Sequence, residues 1–230
     1  DADPMDLRYN VIQWVHRSTR GWSYGSSIND PRTGEIIKGH VSLGSLRIRQ
    51  DFLIAQSLQA PYAKDTAEDD FALDMALARI RQLAAHEVGH TLGFAHNFAA
   101  STNNRASVMD YPHPLIRVKN DRLDFSNAYA EGIGSWDKVT VAYAYKEFMS
   151  HETDSLEAIL DQAFEKGQRY ISDEDARPSG SAHAYAHLWD NGNDIVEELT
   201  NVLEVRKFSI SKFSTDNIRK YQSYSVLEDV

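Results

Sequence analysis

His86-Glu87-Val88-Gly89-His90-Thr91-Leu92-Gly93-Phe94-Ala95-His96 packs three imidazoles and one carboxylate into a short stretch. His86 and His90 are four positions apart, so on a helix they leave the same face, one turn above the other. Glu87 sits beside the first of them and can reach a water held by a metal. Gly93 is where the helix can stop and reverse, because glycine accepts backbone angles that other residues resist. That reversal would bring His96 back to the same point. Three protein ligands leave a coordination position free, which marks a catalytic zinc site rather than a closed structural one.

Upstream of this stretch, Ala67 to Leu92 reads as one long helix. Phe71, Met75, Ala78 and Leu83 form an apolar stripe, and its alanines favour the helical state. Thr66, Glu68 and Asp69 suit the first turn, near the positive end of the helix dipole. His86 and His90 therefore stand on rigid structure. Before the helix, Tyr9 to His16 is rich in β-branched and aromatic residues and reads as a buried strand, with Trp22 to Ile28 a weaker one. Asn29-Asp30-Pro31-Arg32-Thr33-Gly34 has the chemistry of a turn. Residues 35–38 and 41–49 suggest further extended segments with a bend near Gly44-Ser45, and residues 50–60 a short helix ending before Pro61.

Beyond His96 the chain turns polar. Residues 97–105 and 111–133 read as loops. Trp136 to Met149 reads as a helix capped by Ser135, and Asp154 to Tyr170 as another. Residues 173–180 read as a linker or surface loop, and 194–206 and 215–221 as terminal helices. No repeat or low-complexity tract is visible.

A chain of 230 residues can bury a full core without cross-links. It contains no cysteine, so disulfides and thiol catalysis are excluded. A formal net charge of -10 argues against a nucleic-acid groove or an anionic membrane surface as partner. No segment has the apolar length of a transmembrane helix. The opening Asp1-Ala2-Asp3-Pro4 has neither an initiator methionine nor a signal-like stretch, as in a mature fragment or a domain excised from a larger precursor with flanking domains.

The pattern His-Glu-x-x-His-x-x-Gly-x-x-His, followed downstream by Ser107-Val108-Met109-Asp110-Tyr111, resembles the zinc signature and methionine turn of the metzincin metallopeptidases. Asn10 to Trp14, the turn from Asp30 to Glu35, Trp136-Asp137 and Trp189-Asp190-Asn191-Gly192 add a likeness to a group of large bacterial zinc-dependent metalloproteases. The resemblance implies an α/β fold: a mixed twisted sheet with a long active-site helix, then a mostly helical C-terminal part. It divides the chain into a peptidase core over residues 1–150 and a helical extension over 151–230 packed on it. It implies Zn2+ on His86, His90 and His96, with Glu87 as general base for a metal-activated water. Met109 becomes an apolar floor under the histidines. Tyr111 is either a catalytic group, able in some branches to bind zinc, or a wall of the site.

The implied activity is that of an exported endopeptidase (periplasmic, cell-surface or extracellular) acting on an extended peptide or protein. The segment Gly39 to Leu46 is a candidate edge for such a substrate, or else an internal strand. Two other functions remain open at this point: a zinc hydrolase of a non-peptide amide, and a catalytically silent binding domain that keeps zinc. His113, restrained between Pro112 and Pro114, reads as a surface or pocket-wall residue, and His183 and His187 take no assignment. Calcium lacks a complete loop pattern.

Overall fold

Val11–Val15, with its β-branched and aromatic side chains, forms strand β1 in the computed structural model, which describes residues 3–17, 21–62, 70–180 and 183–229. Strand β2 (Tyr24–Asn29) and strand β3 (Ile36–Gly44) are joined by the expected turn, in which Gly34 N–H donates to Asp30 O. The sheet order is β1-β3-β2, with β1 parallel and β2 antiparallel to β3. β2 is thus at one margin of the sheet. Residues 36–44 are a single strand rather than two segments, and the pairing of β2 with β3 shifts register at Ile28/Asn29.

The expected extended run to Arg49 is corrected. The chain leaves β3 at Gly44 and enters helix α1 (Leu46–Leu58) at once. The unmatched alternation of Leu46, Ile48 and Phe52 belongs to a helix, whose inner face carries Ala55 into the core.

Helix α2 (Phe71–Thr91) is the expected long helix. Asp70 caps it, accepting from Leu73 N–H. Thr66, Glu68 and Asp69, assigned above to its first turn, lie outside the described residues. α2 packs against both β2 and β3, burying Leu83 against Val41 and Leu43. The N-terminal half of the same face, through Ala72 and Met75, joins a second cluster with Ala55, Ile116, Leu123 and Val205. Burial of one face along the whole length of α2 keeps it fixed with little dependence on its own helix propensity.

The loop expected over 111–133 contains a short hairpin, β4 (Arg117–Lys119) and β5 (Arg122–Asp124). Its turn places Asn120 and Asp121 at positive φ, of 52° and 59°, as a tight hairpin requires. Helix α3 (Ser135–Tyr145) follows, with Gly134 rather than Ser135 at its cap position. Ser135 Oγ instead accepts from Gln168 Nε2. Helix α4 (Glu152–Glu165) packs on α3, and Trp136 and Ala163 join Ala100 and Ala106 in a third cluster.

Residues 173–180, expected as loop, begin with one helical turn, α5 (Asp173–Ala176). Helix α6 (Ile195–Lys212) contacts α1 and β4, and α7 (Val226–Asp229) lies near the end. The expected architecture holds: a mixed twisted sheet, a long helix and a largely helical remainder. Among the described residues, no helix is long and apolar enough to cross a membrane.

Candidate metal centre

The last turns of α2 carry His86 and His90 side by side, with ring centroids 4.8 Å apart. Gly93, at a φ of 86°, then reverses the chain, a backbone state that a side chain would strain. His96 returns on the far side, so that its Nε2 and that of His86 each lie 3.2 Å from Nε2 of His90.

The outer nitrogen of each ring has its own partner. His86 Nδ1–H donates to Val108 O at 2.7 Å, His90 Nδ1–H to Phe94 O at 2.8 Å, and His96 Nδ1–H to Asp173 Oδ2 at 2.6 Å. These partners place the proton on Nδ1 and leave each Nε2 with its lone pair pointing inward. Burial, followed by the neighbouring imidazoles, lowers the His86 pKa to about 3, and burial also lowers that of His90. Lone pairs that face one another at such distances repel, and a shared cation removes the repulsion. The three ligand atoms lie within 4.8 Å of one another, a group able to hold a metal ion. An all-imidazole set of three suits a borderline metal such as zinc.

Glu87 is buried beside the cluster and lines the same cleft, which has a volume of about 780 Å³. Burial raises its pKa to about 7, against the downward pull of Gly25 N–H and Arg79. Met109, 3% exposed, lies under the helix with its sulfur against Gly89. Tyr111 stands over the imidazoles, its ring centroid 4.6 Å from that of His96 and 5.5 Å from that of His86. The residues picked out by spacing, and those added by the family resemblance, are therefore brought together around one point.

A family model described as Met-zincin matches residues 68–230, more than half of the chain. The chain belongs to the Met-zincin family. No curated protein and no solved structure matches it.

What holds the methionine turn of this Met-zincin is a buried carboxylate. Asp137, on α3, accepts from Ser107 Oγ at 2.5 Å and from Val108 N–H at 2.9 Å, and it also accepts from Gly134 N–H at 2.6 Å. Gln82 Nε2 donates to Val108 O, the carbonyl that also orients His86. Asn97 N–H closes the loop onto Met109 O. The turn is thus fastened to α2, α3 and the segment after His96 at once. Gly89 sets how closely it can approach, since a Cβ there would collide with Met109 Sδ. Gly89→Ala is expected to destabilise the Met-zincin fold by ~1–3 kcal/mol through overpacking. Chemical denaturation of the two proteins measures the difference.

The sequence reading missed three contributors. Asp173, 77 positions beyond His96, orients that imidazole and pairs with Arg177 at 2.8 Å. Burial raises the Asp173 carboxyl, but His96 and Arg177 outweigh it and hold it below its ordinary value. Trp189 stacks on Tyr111 with centroids 5.3 Å apart, and its backbone N–H donates to Tyr111 O. Trp189 was visible only as part of a sequence likeness, with no role attached. Arg79, buried, lines the cleft from α2. His113 is not among the converging rings: it pairs with Glu198 at 2.7 Å. His183 and His187 are exposed and remain without a site.

Proposed function

We propose that this Met-zincin is a zinc-dependent endopeptidase. His86, His90 and His96 hold the metal, Glu87 is the general base and acid, and Tyr111 assists the substrate carbonyl. The observation that carries this reading is the convergence of three imidazole nitrogens beside a buried carboxylate in one open cleft.

Zinc at these nitrogens supplies Lewis acidity, polarising a carbonyl and lowering the pKa of water. Glu87 takes a proton from the attacking water and delivers it to the departing amine nitrogen. A carboxyl titrating near neutrality suits both directions of that transfer. Burial also raises the Tyr111 phenol pKa, so the hydroxyl keeps its proton and can donate a hydrogen bond to an oxygen gaining charge. Stacking on Trp189 limits the positions that the phenol can take.

The extended substrate is supported by the cleft border. Tyr24 and Gly25 of the marginal strand β2 line it, and a marginal strand offers backbone groups that an extended peptide can complete. This moves the candidate substrate edge from the segment around Gly39 to β2, since β3 is flanked on both sides. The exported location implied by the sequence likeness belongs to the same proposal.

The test is metal analysis together with cleavage of a diverse peptide library, run beside a panel of small amides. The expected result is stoichiometric zinc and cleavage inside peptides. Hydrolysis of small amides alone would replace the peptide substrate, and a metal-free protein would remove the proposal.

A further inference from the structure

The cleft has a charged wall for which the proposed chemistry has no use. On the side where α1 meets α2, Arg47 and Arg79 both line it. The carboxylate paired there is Asp51, fully buried, which pairs with Arg47 at 2.8 Å and accepts from Tyr129 Oη at 2.5 Å, while Glu87, elsewhere in the cleft lining, acts on Arg79 only through its charge. Asp51 is thus shared before Arg79 is reached. Arg79 is 4% exposed, and it makes no ion pair among the described residues. Its guanidinium donates to the neutral Gln82 Oε1 and lies over the Tyr129 ring, while its Nε has no hydrogen-bond partner. Burial and then the neighbouring Arg47 press its pKa down against the weaker pull of Tyr129, Asp51 and Glu87.

A buried guanidinium with a free donor is costly unless an anion completes it. On a chain of net charge -10, two arginines in one cleft wall whose paired carboxylate is already engaged by Arg47 are a local concentration of positive charge.

We infer that Arg47 and Arg79 form an acid-recognition subsite, which takes a carboxylate of the bound substrate. The inference rests on the cleft being where the substrate lies, as proposed above. The carboxylate has two sources, the side chain of Asp or Glu and the C-terminus of a peptide. Arginine suits either, because its planar donors match a carboxylate's two oxygens.

The test is a binding titration on the zinc-loaded Glu87→Gln protein, where turnover does not interfere. The probes are acetylated, amidated peptides that differ only in carrying Glu, Gln or Lys at one scanned position, and the same peptides left unamidated. At the position that reaches the pair, Glu is expected to bind at least about tenfold more tightly than Gln, with Lys weakest. A gain confined to the unamidated peptides assigns the subsite to the chain end instead.

Two variants check the residues. Arg47→Gln removes one guanidinium. Gln50→Glu, at an exposed position of the same wall whose Oε1 accepts from Arg47, supplies a competing carboxylate without emptying the core. Each is expected to erase most of the preference. Equal binding of Glu and Gln peptides in both series, a preference that survives both variants, or no peptide binding overturns the subsite. Peptide cleavage without acid preference would remove the subsite and leave the endopeptidase reading standing. Acid-selective binding without any cleavage would do the reverse.

Discussion

Glu87→Gln is expected to lower kcat by about 10²–10⁴-fold, the range for losing a positioned general acid–base group. Gln matches Glu in shape and keeps polar contact, but it cannot take up a proton. The three imidazole nitrogens form the ligand group without it, so zinc content is expected to stay at the wild-type level. Thermal stability is expected to hold or rise, because the substitution removes a buried carboxyl whose charged form is disfavoured. The measurements are turnover of the best library peptide, metal content by mass spectrometry and a melting curve. Activity within about tenfold of wild type would sink the proton-transfer role. Loss of zinc would show instead that Glu87 acts on the metal.

The second large effect is expected far along the chain. Asp173→Ala should weaken zinc binding by about 10–100-fold, as removal of a ligand's hydrogen-bonded partner commonly does. Asp173 Oδ2 accepts the Nδ1–H of His96 at 2.6 Å, which fixes the ring's tautomer and its rotation. His86 and His90 answer to backbone carbonyls and keep their orientation. The expected pattern is therefore specific. Chelator competition should show weaker zinc binding, and excess zinc should restore most of the activity at saturating substrate. Unchanged affinity would mean that His96 is held by its ring packing on Phe98 and Tyr111 rather than by Asp173.

The parts legible in the sequence are those encoded locally. α2 announces itself through an apolar stripe, and the spacing of His86, His90, Gly93 and His96 needs only helix geometry and one turn. Met109 and Tyr111 were found because they sit in a short pattern soon after. Errors arose where short range is ambiguous. Leu46 and Ile48 suit a strand or a helix equally, and burial of α1 against α2 decided it. Strands of three residues, as in β4 and β5, are too brief to show alternation, and only the Asn120-Asp121 turn hinted at them. Asp173 carries no local signal at all. Its partner is 77 positions away, and an acidic run in a polar stretch reads as solvated surface. The Arg47 and Arg79 pairing was equally hidden, since each looks like an ordinary helix charge until two helices are laid together.

Asp173 has a further consequence, for the order in which the centre is assembled. A ribosome delivers His86, His90 and His96 together and Asp173 much later, after α3 and α4 have been made. Until then the third imidazole lacks its hydrogen-bonded restraint and has only its packing on Phe98 and Tyr111, so a nascent chain would hold the proposed ion less firmly. Translation itself thus postpones firm metal capture until the helical half is present. On the proposed function, a chain that ended before α5 would lack the Asp173 restraint on its third ligand, a delay that suits an enzyme proposed to cut proteins.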